Sequence, residues 1–209
     1  MTTYAAHVPV KSLSEVKSRL APHLTQTRRA TLVLDMLRHV LCVLRESNVL
    51  ERVSVVSPDR LVLEQAQIWG AHALIEEQAG HNPALTAAAL REVARGTSAL
   101  LTISADLPLL QTDDIRSLVA QSRRYNVVLA PSRDGTGTNA LLVRPPLTVP
   151  YVFGPGSLQR YLAEARERQL PSHVHTSTGL ALDIDTIDDL ELFHYNKISG
   201  ELQCPSHCS

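Results

Sequence analysis

The chain has 209 residues, of which 44% are hydrophobic and 20% charged, and its formal net charge is −1. A chain of this length can bury a substantial core. Its nearly balanced charge does not indicate binding to nucleic acid or to an acidic membrane surface. It contains no apolar run of the ~18 residues that a transmembrane helix needs, and no signal-peptide pattern at its start. We therefore expect a cytoplasmic protein with a single domain over residues 1–197 and a polar tail over residues 198–209.

Apolar spacing along the chain predicts strands that alternate with helices. The predicted elements, in chain order, are strand Tyr4–Val10, helix Thr25–Arg45, strand Arg52–Ser57, helix Leu61–Trp69, strand Ala73–Glu76, helix Pro83–Arg95, strand Ala99–Ser104, a helix capped by Thr112, strand Val127–Ala130, extended segment Ala140–Val143, helix Ser157–Arg168, strand Leu182–Ile184 and helix Ile187–Phe193. This alternation is typical of an α/β fold, a mostly parallel sheet with helices on both faces. Ligands of such folds bind beyond the carboxyl ends of the strands.

A basic segment follows the first predicted strand. It carries Lys11, Lys17 and Arg19, with serines between them. Fixed cations and small hydroxyls at a strand end suit a polyphosphate. The alternative is a solvated basic loop, since lysine and arginine are common on surfaces.

Carboxylates mark two further strand ends. Asp106 follows the most hydrophobic predicted strand, and Asp183 and Asp185 would face the same side of an extended segment. Two carboxylates that meet there would repel each other unless a cation lies between them, so these residues are candidate ligands of a hard cation. The alternatives are a turn or capping role for Asp106 and a helix N-terminal role for Asp185.

Two glycine-rich segments could approach an anion, namely residues 134–139 (DGTGTN) and 153–157 (FGPGS). The first lacks the spacing of the common phosphate-binding loop and could be a simple turn, and Ser157 could be a simple helix N-cap. The sequence contains neither a GxSxG nucleophile motif nor an HExxH metal motif. Metal-assisted in-line displacement therefore fits the residues better than covalent catalysis.

Taken in order, these segments resemble one family, the 2-phospho-L-lactate or phosphoenolpyruvate guanylyltransferases, called CofC in archaea and FbiD in mycobacteria. The resemblance covers residues 4–193 and rests on five motifs in order: Val8–Lys11 together with Lys17–Pro22, then Ala105–Leu110, Gly135–Ala140, Phe153–Ser157, and Asp183–Thr186 with Asp189 and Leu190. It implies the Rossmann-like fold of the nucleotide-diphospho-sugar transferases. It also implies transfer of GMP from GTP to a phosphorylated three-carbon acid, with release of pyrophosphate, in coenzyme F-420 biosynthesis.

The resemblance also implies roles for individual residues. The triphosphate would be held by Lys11, Lys17 and Arg19, Mg²⁺ by Asp106, Asp183 and Asp185, and the acceptor acid by Thr138, Gly154 and Ser157. The catalytic residues among them would be Lys17, Arg19 and Asp106. The family suggests at most a homodimer.

The chain departs from the family's usual pattern at a position that could contact the guanine base. Thr86 stands where the family usually has asparagine, and Ser57 and Asp59 lie where base contacts could form. Threonine has one hydroxyl and cannot make the paired contacts of an amide.

Two other functions stay open. One is a nucleotidyltransferase with another acceptor: 3-phosphoglycerate, a sugar phosphate or the molybdenum cofactor. Enzymes that act on the last two commonly open with a glycine-rich loop, whereas Lys11–Arg19 contains no glycine. The other is a non-catalytic nucleotide-binding domain, against which the retained carboxylates Asp106 and Asp183 argue.

Overall fold

The computed structural model describes residues 2–198, and side chains as far as residue 193. The strands are β1 (Tyr4–Pro9), β2 (Arg52–Ser57), β3 (His72–Ile75), β4 (Ala99–Ile103), β5 (Val127–Pro131), β6 (Thr138–Val143) and β7 (Ser172–Val174). The helices are α1 (Gln26–Glu46), α2 (Arg60–Ile68), α3 (His81–Ala94), α4 (Thr112–Gln121), α5 (Ser157–Glu167), α6 (Thr178–Ala181) and α7 (Ile187–Ile198).

The strands form one seven-stranded sheet in the order β3-β2-β1-β4-β6-β5-β7. All neighbouring pairs are parallel except those that involve β6, which runs antiparallel to both β4 and β5. The predicted mostly parallel α/β fold is therefore confirmed. The carboxyl ends of β1, β2 and β4 meet at one edge of the sheet, where the loops after β1 and β4 come together.

The sheet is covered on both faces, which explains its continuous apolar strands. Successive residues of a strand enter different cores: Ala6 and Leu101 pack with α1, α2 and α4, whereas Ala5 and Leu100 pack with α3 and α5. Strand residues of this kind are fully or almost fully buried. Packing in the two cores fixes the positions of the strand ends. The loops that follow those ends therefore start from fixed positions at the binding edge.

Several local predictions are wrong. Residues 182–185 are extended but form no strand, whereas β7 was not predicted. Gln111, not Thr112, is the N-cap of α4: its N–H donates to Asp114 Oδ2 at 2.8 Å. The cap of α5 is Gly156, so Ser157 is the first helical residue and not the cap.

None of the helices that the structure describes is both long and apolar enough to span a membrane. The C-terminal helix extends to Ile198, one residue into the predicted tail. The rest of that tail lies outside the described residues.

Candidate active site

The loop between β1 and α1 brings one basic side chain into the interior of the binding edge. The Lys17 side chain is only 7% exposed. Its Nζ contacts the carboxylates of Asp106 and Asp185, at 2.8 Å from Asp185 Oδ1. The N–H of Leu13 donates to Asp59 Oδ2 at 2.9 Å, which ties the loop to the start of α2. For Lys17, therefore, the alternative of a solvated basic loop is wrong.

Three carboxylates meet where the sequence predicted a cation site. One oxygen each from Asp106, Asp183 and Asp185 lies within 4.8 Å of the others. Asp106 follows β4, and its carbonyl oxygen accepts the N–H of Ile184 at 3.3 Å, so the two segments are joined through the backbone. Carboxylate oxygens in such a group are the ligands that hard divalent cations prefer.

The amide of Asn139 positions the segment that carries two of these carboxylates. Its Nδ2 donates to Asp183 Oδ1 at 3.1 Å and to the carbonyl oxygens of Leu180 and Ala181 at 3.0 and 3.2 Å. Asn139 is buried on β6. The Asn139 amide therefore fixes the segment that carries Asp183 from inside the sheet.

The backbone N–H groups at the start of α7 find hydrogen-bond acceptors other than the Asp185 side chain. Asp189 Oδ2 accepts the N–H groups of Asp185 and Thr186 at 3.1 and 2.9 Å, and the Thr186 hydroxyl at 2.8 Å. Asp189 thus caps the helix from its own first turn. The Asp185 carboxylate is therefore not used as the helix cap and contacts Lys17 instead.

The charges of the cluster depend strongly on one another. Burial alone would lower the pKa of Lys17, but the carboxylates of Asp106 and Asp185 outweigh it and raise that pKa above its usual value. Burial raises the pKa of Asp183, and the neighbouring carboxylates add to this against the hydrogen bond from Asn139. The carboxylates therefore favour the charged form of Lys17, whereas burial and the neighbouring carboxylates disfavour the charged form of Asp183.

A cavity of about 560 Å³ contains this cluster. Among the predicted site residues it is lined by Lys11, Lys17, Arg19, Asp106, Asp183, Asp185 and Gly154. Its size falls in the range of roughly 300–1,000 Å³ that is usual for small-molecule sites. The predicted phosphate-binding and cation-binding residues therefore share one cavity.

The glycine-rich segment after β5 is a self-contained turn. Asp134 accepts hydrogen bonds from the Ser132 hydroxyl at 2.6 Å and from the Thr136 N–H and hydroxyl at 3.0 and 2.8 Å. These bonds hold the pKa of Asp134 well below its ordinary value. Residues 134–136 do not line the large cavity, so for them the alternative of a simple turn is correct.

Two of the predicted acceptor-binding residues lie behind the cavity wall. The Ser157 hydroxyl donates to Thr138 Oγ1 at 3.0 Å, and both side chains are buried. Gly154 lies in the wall itself with φ 122°, a conformation that residues with a Cβ rarely adopt. The N–H of Ser157 donates to the carbonyl oxygen of Gly154 at 3.0 Å, so the buried pair of Thr138 and Ser157 supports the backbone at Gly154.

The predicted base-binding residues are not brought together. Ser57 is buried, and its Oγ accepts the N–H of Asp59. The Asp59 carboxylate accepts the N–H of Leu61 and so caps α2. Thr86 is exposed, and its hydroxyl donates to the carbonyl oxygen of Asn82 at 2.9 Å. None of these three residues lines the large cavity.

Sequence reasoning missed the residues that join α3 to the glycine-rich segment 153–157. Asn82 Nδ2 donates to the carbonyl oxygen of Phe153 at 3.1 Å, and Asn82 Oδ1 accepts the Phe153 N–H at 2.9 Å. The rings of His81 and Phe153 meet edge to face at 5.6 Å. Both rings line the large cavity. No motif marks these contacts, which span about seventy residues of chain.

Comparison with known proteins gives one family. Residues 4–199 match the family described as Guanylyl transferase CofC like. The chain is 45% identical over 191 residues to the phosphoenolpyruvate guanylyltransferase of Sphaerobacter thermophilus, which covers 91% of this chain and 92% of that protein. It is 27% identical over 196 residues to the 2-phospho-L-lactate guanylyltransferase of Methanobrevibacter ruminantium, which covers 88% and 82%.

Among solved structures, a candidate nucleotide-diphospho-sugar transferase from Desulfovibrio desulfuricans superimposes with a TM-score of 0.81 at 16% identity, over 98% of this chain and 92% of that one. At this identity the likeness confirms the predicted fold class alone.

Proposed function

The chain belongs to the CofC-like family of guanylyltransferases, and from that premise we propose that it transfers GMP from GTP to phosphoenolpyruvate, with 2-phospho-L-lactate as the other candidate acceptor. The observation that carries the proposal is the joining of the basic loop and three carboxylates in one cavity. Identity of 45% to a phosphoenolpyruvate enzyme, against 27% to a 2-phospho-L-lactate enzyme, supports the first acceptor. The product would be a guanosine-diphospho-acid for coenzyme F-420 biosynthesis.

The reaction joins two anions, so the main task of the protein is to neutralise and position them. Lys11, Lys17 and Arg19 supply positive charge along one wall of the cavity. Lys17 stays protonated because its carboxylate partners raise its pKa. Fixed cations in this position would hold the triphosphate and stabilise the departing pyrophosphate.

Asp106, Asp183 and Asp185 would hold Mg²⁺. Their oxygens suit a hard cation, and the raised pKa of Asp183 indicates a place where a further positive charge would be stabilising. When bound, Mg²⁺ would supply Lewis-acid polarisation of phosphoryl oxygens and partial neutralisation of their charge.

The chemical step is an in-line displacement at phosphorus. An oxygen of the acceptor phosphate forms a bond to the α-phosphorus of GTP. The bond from that phosphorus to the bridging oxygen breaks, and its electron pair leaves with pyrophosphate. A phosphate monoester with a second pKa of about 6 is already ionised near neutral pH, so no residue is needed to remove a proton.

The acceptor acid would lie against the loop that contains Gly154. The positive φ of this glycine and its place in the cavity wall allow the backbone to approach an anion closely. The buried bond between Ser157 and Thr138 would keep that loop in position. In this proposal both residues act on the acceptor by supporting the loop.

Pyrophosphate release from purified protein tests the proposal directly. We would combine GTP, ATP and CTP with phosphoenolpyruvate, 2-phospho-L-lactate and 3-phosphoglycerate in the presence of Mg²⁺, with Asp106→Asn as the inactive control. Release with GTP and phosphoenolpyruvate is the expected result. Release with 3-phosphoglycerate alone would assign a different acceptor, and no release from folded protein in any combination would contradict the proposal.

A further inference from the structure

We propose that Glu76 recognises the guanine base of GTP, and that the base lies in a second, smaller cavity beside the carboxylate cluster. This inference rests on the proposed function and assigns a specificity-determining residue to it. Glu76 was not among the residues predicted to contact the base.

The smaller cavity continues the large one. Its volume is about 200 Å³. The residues that line both cavities are Pro9, Val10, Lys11, Glu15 and His81. The two cavities are therefore adjacent, and one extended ligand could occupy both.

The two cavities have complementary chemistry. Lys17, Arg19 and the carboxylate cluster line only the large cavity. The smaller cavity has an apolar wall made by Val10, Val56, Pro58, Ala84 and Leu85, and its polar side chains are those of Lys11, Ser12, Glu15, Glu76 and His81. Apolar walls with a small number of polar groups suit a planar base, whereas the cations suit phosphates. A nucleoside triphosphate in this orientation places its base beside Glu76.

Glu76 has the position and the chemistry to select guanine. It follows β3, and its N–H donates to the carbonyl oxygen of Ser57 at 3.0 Å, so its backbone is held at the end of the sheet. Its side chain lines only the smaller cavity, is half-buried, and forms no ion pair or side-chain hydrogen bond with any residue that the structure describes. The adjacent Glu77, by contrast, is paired with Arg91.

A carboxylate discriminates between the purines by their hydrogen-bonding edges. Guanine offers a ring N–H and an exocyclic amino group as adjacent donors, and the two carboxylate oxygens can accept both. Adenine presents an unprotonated ring nitrogen in place of the first donor, which would face the carboxylate without a hydrogen bond. An unpaired carboxylate in a partly dry cavity disfavours the wrong base.

Two other candidates for this role are less well placed. Thr86 lies outside both cavities, and its hydroxyl already donates within α3. Glu15 lies at the junction of the cavities and is exposed. A residue at the junction would meet the sugar rather than the far edge of the base.

Equilibrium binding of nucleotides with Mg²⁺, and no acceptor acid, tests the assignment by calorimetry. The nucleotides are GTP, ATP and inosine triphosphate, which lacks the exocyclic amino group. Hydrogen bonds to a charged group correspond to roughly 10- to 100-fold in affinity. We expect wild type to prefer GTP over inosine triphosphate by about 10-fold or more. Glu76→Gln should bind GTP about 10- to 100-fold more weakly and lose that preference.

Matched variants make the result specific. Glu64→Gln, the same change on an exposed face of α2, should bind like wild type. Thermal melting would confirm that each variant is folded. A Glu76→Gln protein that keeps the wild-type ratio of GTP to inosine triphosphate affinity overturns the proposal. So does loss of that ratio in Glu15→Gln but not in Glu76→Gln, or a wild type with no preference for guanine.

The binding assay separates this inference from the proposed reaction. Guanine selection that depends on Glu76, without pyrophosphate release on any acid, would support the base assignment and contradict the proposed function. Turnover of GTP by a Glu76→Gln protein with unchanged base preference would support the proposed function and contradict the base assignment.

Discussion

Glu92 on α3 provides a quantitative test of how the structure is stabilised beside the central strands. Its side chain is fully buried and accepts hydrogen bonds from Arg52 Nη1 at 3.0 Å, Arg95 Nη1 at 3.1 Å and Thr97 Oγ1 at 2.8 Å. His7 Nε2, on β1, lies 4.0 Å from Glu92 Oε1. The nearby His7 and the hydrogen bonds from Thr97 and Arg52 lower the pKa of Glu92 to about 2, against the opposing effect of burial.

The direction of the resulting pH dependence follows from the sign of this shift. Because the pKa is lower in the folded state than the ordinary value of 4.5, the stabilisation is fully present above pH 4.5 and is lost as the pH falls toward 2. The difference between 4.5 and about 2 corresponds to about 3 kcal/mol in the free energy of unfolding. At pH 3, the same linkage relation predicts that about 1.5 kcal/mol of this contribution to the free energy of unfolding remains.

Glu92→Gln keeps the shape of the side chain and removes its charge. Urea unfolding should show the variant to be less stable than wild type by about 3 kcal/mol at pH 7 and by about half as much at pH 3. Glu64→Gln, an exposed change of the same kind, should show neither difference. A deficit equal at the two pH values would refute the reasoning, since it would come from packing and not from ionisation.

Two further predictions concern the candidate active site. Asp183→Asn should abolish pyrophosphate release, yet without metal its melting temperature should equal or exceed that of wild type, because a buried charge beside Asp106 and Asp185 is removed. Near-normal turnover by the folded variant would contradict the metal assignment. Ser157→Ala removes one buried hydrogen bond to Thr138, which should lower the free energy of unfolding by about 1 kcal/mol. Steady-state kinetics should show a higher KM for the acid and an unchanged KM for GTP. A higher KM for GTP alone would contradict the assignment of Ser157 to the acceptor subsite.

The fold could be predicted because burial on two faces leaves a local pattern. Arg52–Ser57 is a strand with the predicted bounds, and α1 begins after the predicted cap, where Thr25 accepts the N–H of Arg28. Strand direction leaves no such pattern, so the antiparallel β6 could not be seen. The alternation at Asp183 and Asp185 resembles a strand, but that segment is held by Asn139 and pairs with no described strand.

The candidate site was predictable in its charges but not in its contacts. Clustered cations and carboxylates at strand ends indicated a phosphate and a metal, and the family resemblance assigned their roles. The contact of Lys17 with Asp185 joins residues 168 positions apart, and no local spacing predicts it. Glu76 carries no motif at all, and it differs from Glu77 in its place in a cavity wall and in having no ion pair with a described residue.

The arrangement of charge explains why the loop after β1 carries more than one cation. Lys17 is almost fully buried between Asp106 and Asp185, so its charge is compensated within the protein. One ammonium against three carboxylates leaves the cluster negative, and such a cluster by itself repels a triphosphate. In the proposed function, the first attraction of the nucleotide would therefore come mainly from Lys11 and Arg19, which line the same cavity and form no ion pair with any described residue. Lys17, which contacts Asp106 and Asp185, would order the carboxylates and add its charge once the triphosphate and the metal are bound.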